Sequence, residues 1–191
     1  MTKKRLIYIV SGLIGLLMIQ YAIASLTIMN GEHKYLGIKK CKMCHKSKKR
    51  GEQVQQWEGS KHAKAFEHLA SPEAKEVAKK AGVEGDPQQA SECLSCHVTG
   101  YDAPAGQKEA SYTLEEGVSC EACHGPGSSF WKMSTMKKVA AGELDPKDVG
   151  LIKPTEELCR KCHNEKSPTF VEFNFKEAYK EILHERPKAG K

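Results

Sequence analysis

The stretch GVSCEACHGPG, residues 117–127, carries two cysteines separated by two residues, a histidine directly after the second, and a Gly-Pro-Gly exit. The same frame recurs as Cys41-Lys42-Met43-Cys44-His45, Cys93-Leu94-Ser95-Cys96-His97 and Cys159-Arg160-Lys161-Cys162-His163. The four frames together use every cysteine in the chain. Three chemistries employ cysteines at this spacing. A disulfide across two residues closes a small, strained, redox-labile ring, so four of them make a poor framework. Zinc takes two thiolates from each such pair, and four pairs could build two four-cysteine sites. Neither chemistry needs a histidine after every pair. C-x-x-C-H is the attachment signature of haem c. The two sulfurs add to the two vinyl groups on one porphyrin edge, and the adjacent imidazole swings beneath the ring to ligate iron. The expectation is four covalently bound haem c groups. Cys41, Cys44, Cys93, Cys96, Cys120, Cys123, Cys159 and Cys162 are the anchors, and His45, His97, His124 and His163 are axial ligands.

Outward from these sites the chain divides in two. Residues 1–30 read as a signal anchor or signal peptide, and 31–191 as the haem-bearing domain. Lys3, Lys4 and Arg5 precede an apolar run from Leu6 to Met29, which exceeds the roughly 20 residues that cross a bilayer. The basic flank keeps the N-terminus cytoplasmic and sends the rest outward. Ala22-Ile23-Ala24 before Ser25 fits signal cleavage near Ala24. Leu26, Ile28 and Met29 extend the apolar stretch beyond that point and favour a retained anchor. Either outcome puts the domain in the cell envelope, on the periplasmic side of the cytoplasmic membrane.

The domain is expected to be mainly α, with little strand. The uneven spacing of Cys41, Cys93, Cys120 and Cys159 gives no internal repeat, so a solenoid of identical modules is not indicated. Four porphyrins enclosed by so short a chain form much of the core, which agrees with the sparse aromatic content. Ser60 is expected to cap a helix through His62, Phe66 and Leu69. Ser71-Pro72-Glu73 starts another that Gly82 stops. Asp86-Pro87 to Glu92 reads as a loop, and Tyr101 to Gly117 as a loop or short hairpin. Asn174 with Glu177 resembles a capping box opening a last helix, in which Tyr179, Ile182 and Leu183 share one side until Pro187.

The formal charge of +6 falls to +3 without Lys3, Lys4 and Arg5. Lys39, Lys40, Lys42, Lys46, Lys48, Lys49 and Arg50 crowd the first cysteine pair. They read as a solvated face or, more sharply, as a docking patch for an acidic redox partner. Haem propionates bring the holoprotein to roughly neutral, so net charge names no partner. Nucleic acid is not expected, because no aromatic residues interleave the basic ones. No nucleophile triad, phosphate loop or paired-carboxylate motif offers a rival chemistry.

His33, His62, His68 and His184 lie outside the attachment motifs, one for each haem if all are bis-histidine. The chain resembles the tetrahaem cytochromes of the cytochrome c-554 type over nearly everything from Lys40 to His184. The resemblance rests on Trp57-Glu58-Gly59-Ser60-Lys61-His62-Ala63, on Cys93-Leu94-Ser95-Cys96-His97-Val98-Thr99-Gly100-Tyr101, on residues 117–127, and on the closing Phe173-Asn174-Phe175 helix that ends in His184. It implies a mostly helical fold with closely stacked haem pairs, His62 and His184 as distal ligands, and an open distal face on the haem of Cys93 and Cys96. The family has a further distal histidine soon after HGPG. Here Ser128 to Met136 contains none, which leaves His33, Met133 or Met136 as substitutes, with His68 outside the family motif. The expected function is electron transfer between redox proteins or with a membrane quinol oxidoreductase. The alternatives are reduction of nitric oxide, hydroxylamine or nitrite at an open haem on His97, and a subunit of a haem filament.

Overall fold

The computed structural model describes residues 33–184, and the leader expected over residues 1–30 lies outside them. Among the described residues, no helix is long and apolar enough to cross a membrane. The architecture is helix and loop: α1 (Ile38–His45), α2 (Gln53–Glu58), α3 (Ala65–His68), α4 (Pro72–Lys80), α5 (Ser91–His97), α6 (Cys120–His124), α7 (Met133–Ala141), α8 (Glu156–Cys159) and α9 (Phe175–Ile182). Among the described residues, extended pairing amounts to one isolated parallel bridge, Tyr35 with Lys108. The stretch from Tyr101 to Gly117 is therefore a loop with two 3-10 turns, Ala105–Gln107 and Leu114–Glu116, and not a hairpin.

Local chemistry explains most boundaries. The Ser71 hydroxyl accepts the Ala74 amide at 3.1 Å, Pro72 occupies the first turn of α4, and Gly82 leaves it at φ 76°. Replacing Ser71 with alanine should cost about 1 kcal/mol in the denaturant unfolding of the holoprotein. A loss under a few tenths would mean that α4 needs no cap. Asn174 Oδ1 accepts the Glu177 amide at 3.3 Å and opens α9, which ends at Ile182, so that Leu183 is already extended. One expectation is met only in part. The Ser60 hydroxyl takes the Ala63 amide at 3.3 Å as a cap does, but the amides of Lys64 and Ala65 reach only three residues back, to Lys61 O and His62 O at 3.2 Å, so a tight turn precedes the single-turn α3 in place of one continuous helix to Leu69.

The protein core is thin. Among the described residues ten apolar side chains are buried, two of them alanines and one of them Pro87. The main cluster joins Leu69, Leu94 and Val98, flanked by Phe66, Tyr101, Tyr112 and Leu114. Beneath it, buried Thr99 laces two segments together. Its amide and hydroxyl donate to Gly117 O at 3.0 and 3.2 Å, and its hydroxyl oxygen accepts the Ser119 amide at 2.6 Å. The exit of the second attachment site is thereby pinned to the entrance of the third.

Candidate haem-binding site

Each attachment motif folds as a helical turn, which puts cysteines three positions apart on one side. Cys41 and Cys44 lie on α1, Cys93 and Cys96 on α5, and Cys120 and Cys123 on α6. The fourth begins as α8 ends, and the His163 amide continues the turn by donating to Cys159 O at 3.0 Å. As free thiols, Cys41 and Cys120 share a hydrogen bond that raises the first and lowers the second. Cys162 and Cys96 do likewise. Burial pushes Cys123 up to about 11. Two pairs of attachment edges thus come together, first with third and second with fourth.

The histidines answer to these edges. The rings of His62 and His163 have centroids 6.0 Å apart and planes at 71°, and those of His124 and His184 are 5.9 Å apart at 64°. Two iron–nitrogen bonds of roughly 2 Å, plus about 1 Å from each nitrogen to its ring centre, span about 6 Å. The chain therefore holds two imidazole pairs at the separation that one iron requires, and the residues fit the group. Burial lowers the His62, His163 and His124 imidazoles. His163 adds to the effect at His62, and His184 and His45 add to it at His124. Depressed imidazoles are neutral near pH 7, the form that ligates metal. Phe173 stacks on His163 at 4.7 Å and fixes its ring.

The other candidates are placed differently. His97 Nδ1 lies 2.8 Å from Ala65 O, an outer partner that leaves Nε2 for iron. His45 Nδ1 is 3.4 Å from Gln53 Oε1. Neither His45 nor His97 faces another histidine ring among the described residues. His33 Nδ1 is 2.9 Å from Ser129 Oγ, and its ring packs on Gly150. His68 is exposed at the end of α3. Met133 is 46 % exposed with its sulfur 3.8 Å from Arg50 Nη2, and Met136 is half-buried.

The sequence reading missed the residues that hold this frame. Glu121, inside the third motif and only 4 % exposed, accepts the amides of Leu36 at 2.9 Å, Gly37 at 2.8 Å and Gly127 at 2.6 Å. Glu116 accepts the Ile38 amide at 2.7 Å, and its carboxyl is raised by burial and then by Glu121. Gly37 and Ile38 begin α1, so two carboxylates from beside the third site satisfy the free amides of the first. The signal for Glu121 was an acidic residue between the two cysteines of a C-x-x-C-H motif, and Glu116 carried none.

Gly117 supports His62 by close approach. It adopts φ 63°, and a Cβ there would meet His62 O at 2.9 Å, while the neighbouring Val118 amide donates to that oxygen at 3.0 Å. Trp57 Nε1 closes the joint on Val118 O at 2.8 Å. Gly117→Ala should push the His62 turn away, destabilise the fold by about 2–3 kcal/mol and shift part of one iron's population from low to high spin. Unchanged optical and paramagnetic spectra would show that this contact does not place His62.

The family described as Cytochrome c554 and c-prime matches residues 40–125. Cytochrome c-554 of Nitrosomonas europaea is 38% identical over 142 residues, covering 66% of this chain and 56% of that protein. The chain thus spans little more than half the length of this curated relative. No solved structure matches.

Proposed function

We propose that this chain, a member of the c554-type cytochrome family, binds four haem c groups and relays electrons singly between redox partners on the periplasmic side of the membrane. Bound haem c supplies reversible one-electron chemistry at iron. The chain's own residues supply the rest. Eight cysteines would hold the rings, and His45, His97, His124 and His163 would ligate iron, with His62 and His184 completing two of the sites. The observation that carries this reading is the two pairs of facing imidazoles, His62 with His163 at 6.0 Å and His124 with His184 at 5.9 Å. A site closed on both sides leaves no position for substrate, which suits a carrier better than a catalyst. The basic flank and apolar run of residues 3–29 support a membrane-anchored domain outside the cytoplasm.

Low-temperature electron paramagnetic resonance on the oxidised holoprotein tests it. At least two irons should be low-spin. Their signals should be strongly anisotropic, because imidazole planes at 71° and 64° donate into different iron orbitals. Wholly high-spin iron would reject the relay.

A second reading has its own observation: His97 is anchored to Ala65 O, with no histidine ring facing it among the described residues. The site on Cys93 and Cys96 would then be open, and would bind a small nitrogen compound such as nitric oxide. A low-spin-only spectrum that nitric oxide leaves unchanged in the reduced protein would remove this reading.

A further inference from the structure

The segment from residue 39 to residue 50 holds Lys39, Lys40, Lys42, Lys46, Lys48, Lys49 and Arg50 and no acidic residue. Taking those seven charges from the formal +6 leaves the remainder of the chain one unit negative. Three of the seven are engaged within the chain. Lys42 pairs with Glu58 at 2.8 Å, Lys40 lies 4.5 Å from the centre of the Trp131 ring, and Arg50 Nη2 donates to Met133 Sδ at 3.8 Å. Lys39, Lys46, Lys48, Lys49 and Arg50 form no ion pair with any described residue.

The helix geometry sorts them. Lys39, Met43 and Lys46 stand at i, i+4 and i+7, one stripe along α1 and its cap, apart from the stripe of Cys41 and Cys44. Met43 is 69 % exposed between two exposed lysines. Beyond Ser47 the 3-10 turn Lys48–Arg50 extends the basic surface, and Arg50 reaches the exposed Met133. Beside it runs a groove whose lining includes Leu36, Lys39, Lys40 and Trp131, and also Glu109, whose charge is paired with Lys34 at 3.5 Å. An apolar centre with a charged rim is the anatomy of a protein interface. Met43 directly precedes the haem-anchoring Cys44, so a partner resting on it is one residue from the thioether.

Resting on the electron-transfer reading above, we propose that this face is the docking surface for an acidic one-electron carrier protein, with Met43 at its centre. The unpaired lysines steer the encounter and set its salt dependence, and the small apolar centre keeps it short-lived. One electron passes between the carrier's redox group and the group held by Cys41 and Cys44, and no atom or proton is transferred. An anionic membrane fits less well, because half of α1 is committed to the anchors and the exposed apolar area is two methionines.

The test uses the full-length holoprotein in neutral detergent, with flavodoxin as the acidic probe and calorimetric titration as the readout. Binding should weaken about ten-fold or more as salt rises from about 0.05 to about 0.5 M. The triple reversal K46E/K48E/K49E should weaken it about ten-fold or more at low salt. The reversal K75E/K79E/K80E on α4 changes net charge equally and should weaken it less than about two-fold. Equal losses in the two variants would reduce the effect to net charge and overturn the proposal. So would absent binding, equal binding of a basic cytochrome, or binding of phosphatidylglycerol vesicles in place of flavodoxin. Intact mass and dithionite reduction of each sample separate the two readings. Loaded, reducible protein that ignores flavodoxin sinks the docking surface alone, whereas protein without covalent haem sinks the relay itself.

Discussion

Replacing Glu121 with alanine should destabilise the holoprotein by about 4 kcal/mol, because three buried amides lose their acceptor together and each orphaned donor costs about 1–3 kcal/mol. Water entering the vacated space offsets part of that sum. For a chain of this size the thermal midpoint should fall by roughly 8–16 °C. The conservative Glu121→Gln keeps one carbonyl oxygen but turns an amide group toward backbone donors, so about half the loss is expected. If the alanine variant does not accumulate, the glutamine variant still reports. Differential scanning calorimetry on matured, haem-loaded protein reads both. A loss under about 1 kcal/mol for alanine would mean that the carboxylate does not hold the structure together.

That clamp couples two sites that lie far apart in the chain. Leu36 and Gly37 enter α1 and the first attachment motif, while Glu121 sits inside the third. Gly127, just past that motif, completes the ring of donors. The helical turns that carry Cys41 and Cys120 meet at the same junction. With ten buried apolar side chains among the described residues, no large protein core is available to fix these helical turns. Directed hydrogen bonds to buried carboxylates and to Thr99 do so instead.

This division explains what the sequence made legible. The attachment motifs are local, five residues in one helical turn, so each could be read without knowing its neighbours. The caps of α4 and α9 are local as well, three-residue relations between a side chain and an amide. The helix expected through His62 is interrupted although Ser60 makes its cap, because His62 O accepts the distant Val118 amide as well as Ala65, a long-range bond that apolar spacing does not register. Which imidazole faces which is not local at all. His62 meets His163 about a hundred residues away, through a chain of contacts in which Gly117, Val118 and Trp57 place the first ring and Phe173 the second. The family resemblance implied His62 and His184 as ligands, and the structure places the His163 and His124 rings beside them.

Removing one of those rings should have the largest effect on the redox centres. In His62→Ala the ring opposite His163 is lost, and one iron should pass from low to high spin while the others keep their signals. His62→Met keeps a sixth ligand but exchanges imidazole for thioether, which raises the potential. Axial ligands tune haem over about 0.8 V, so a shift of roughly 0.1 V or more at one centre is expected. His184→Ala should act on a different iron, because its ring faces His124 and not His163. The double variant should then show two independent losses. His68→Ala provides the internal comparison, since its exposed ring faces no other histidine in the described chain and its loss should leave every spectrum unchanged. Redox titration followed optically, with paramagnetic resonance at each poise, reads all of these together. If His62→Ala and His184→Ala alter the same iron, or neither alters any, the ring pairs are packing contacts and not ligand pairs. A change on losing His68 would instead assign it an iron, in this subunit or in a neighbouring one.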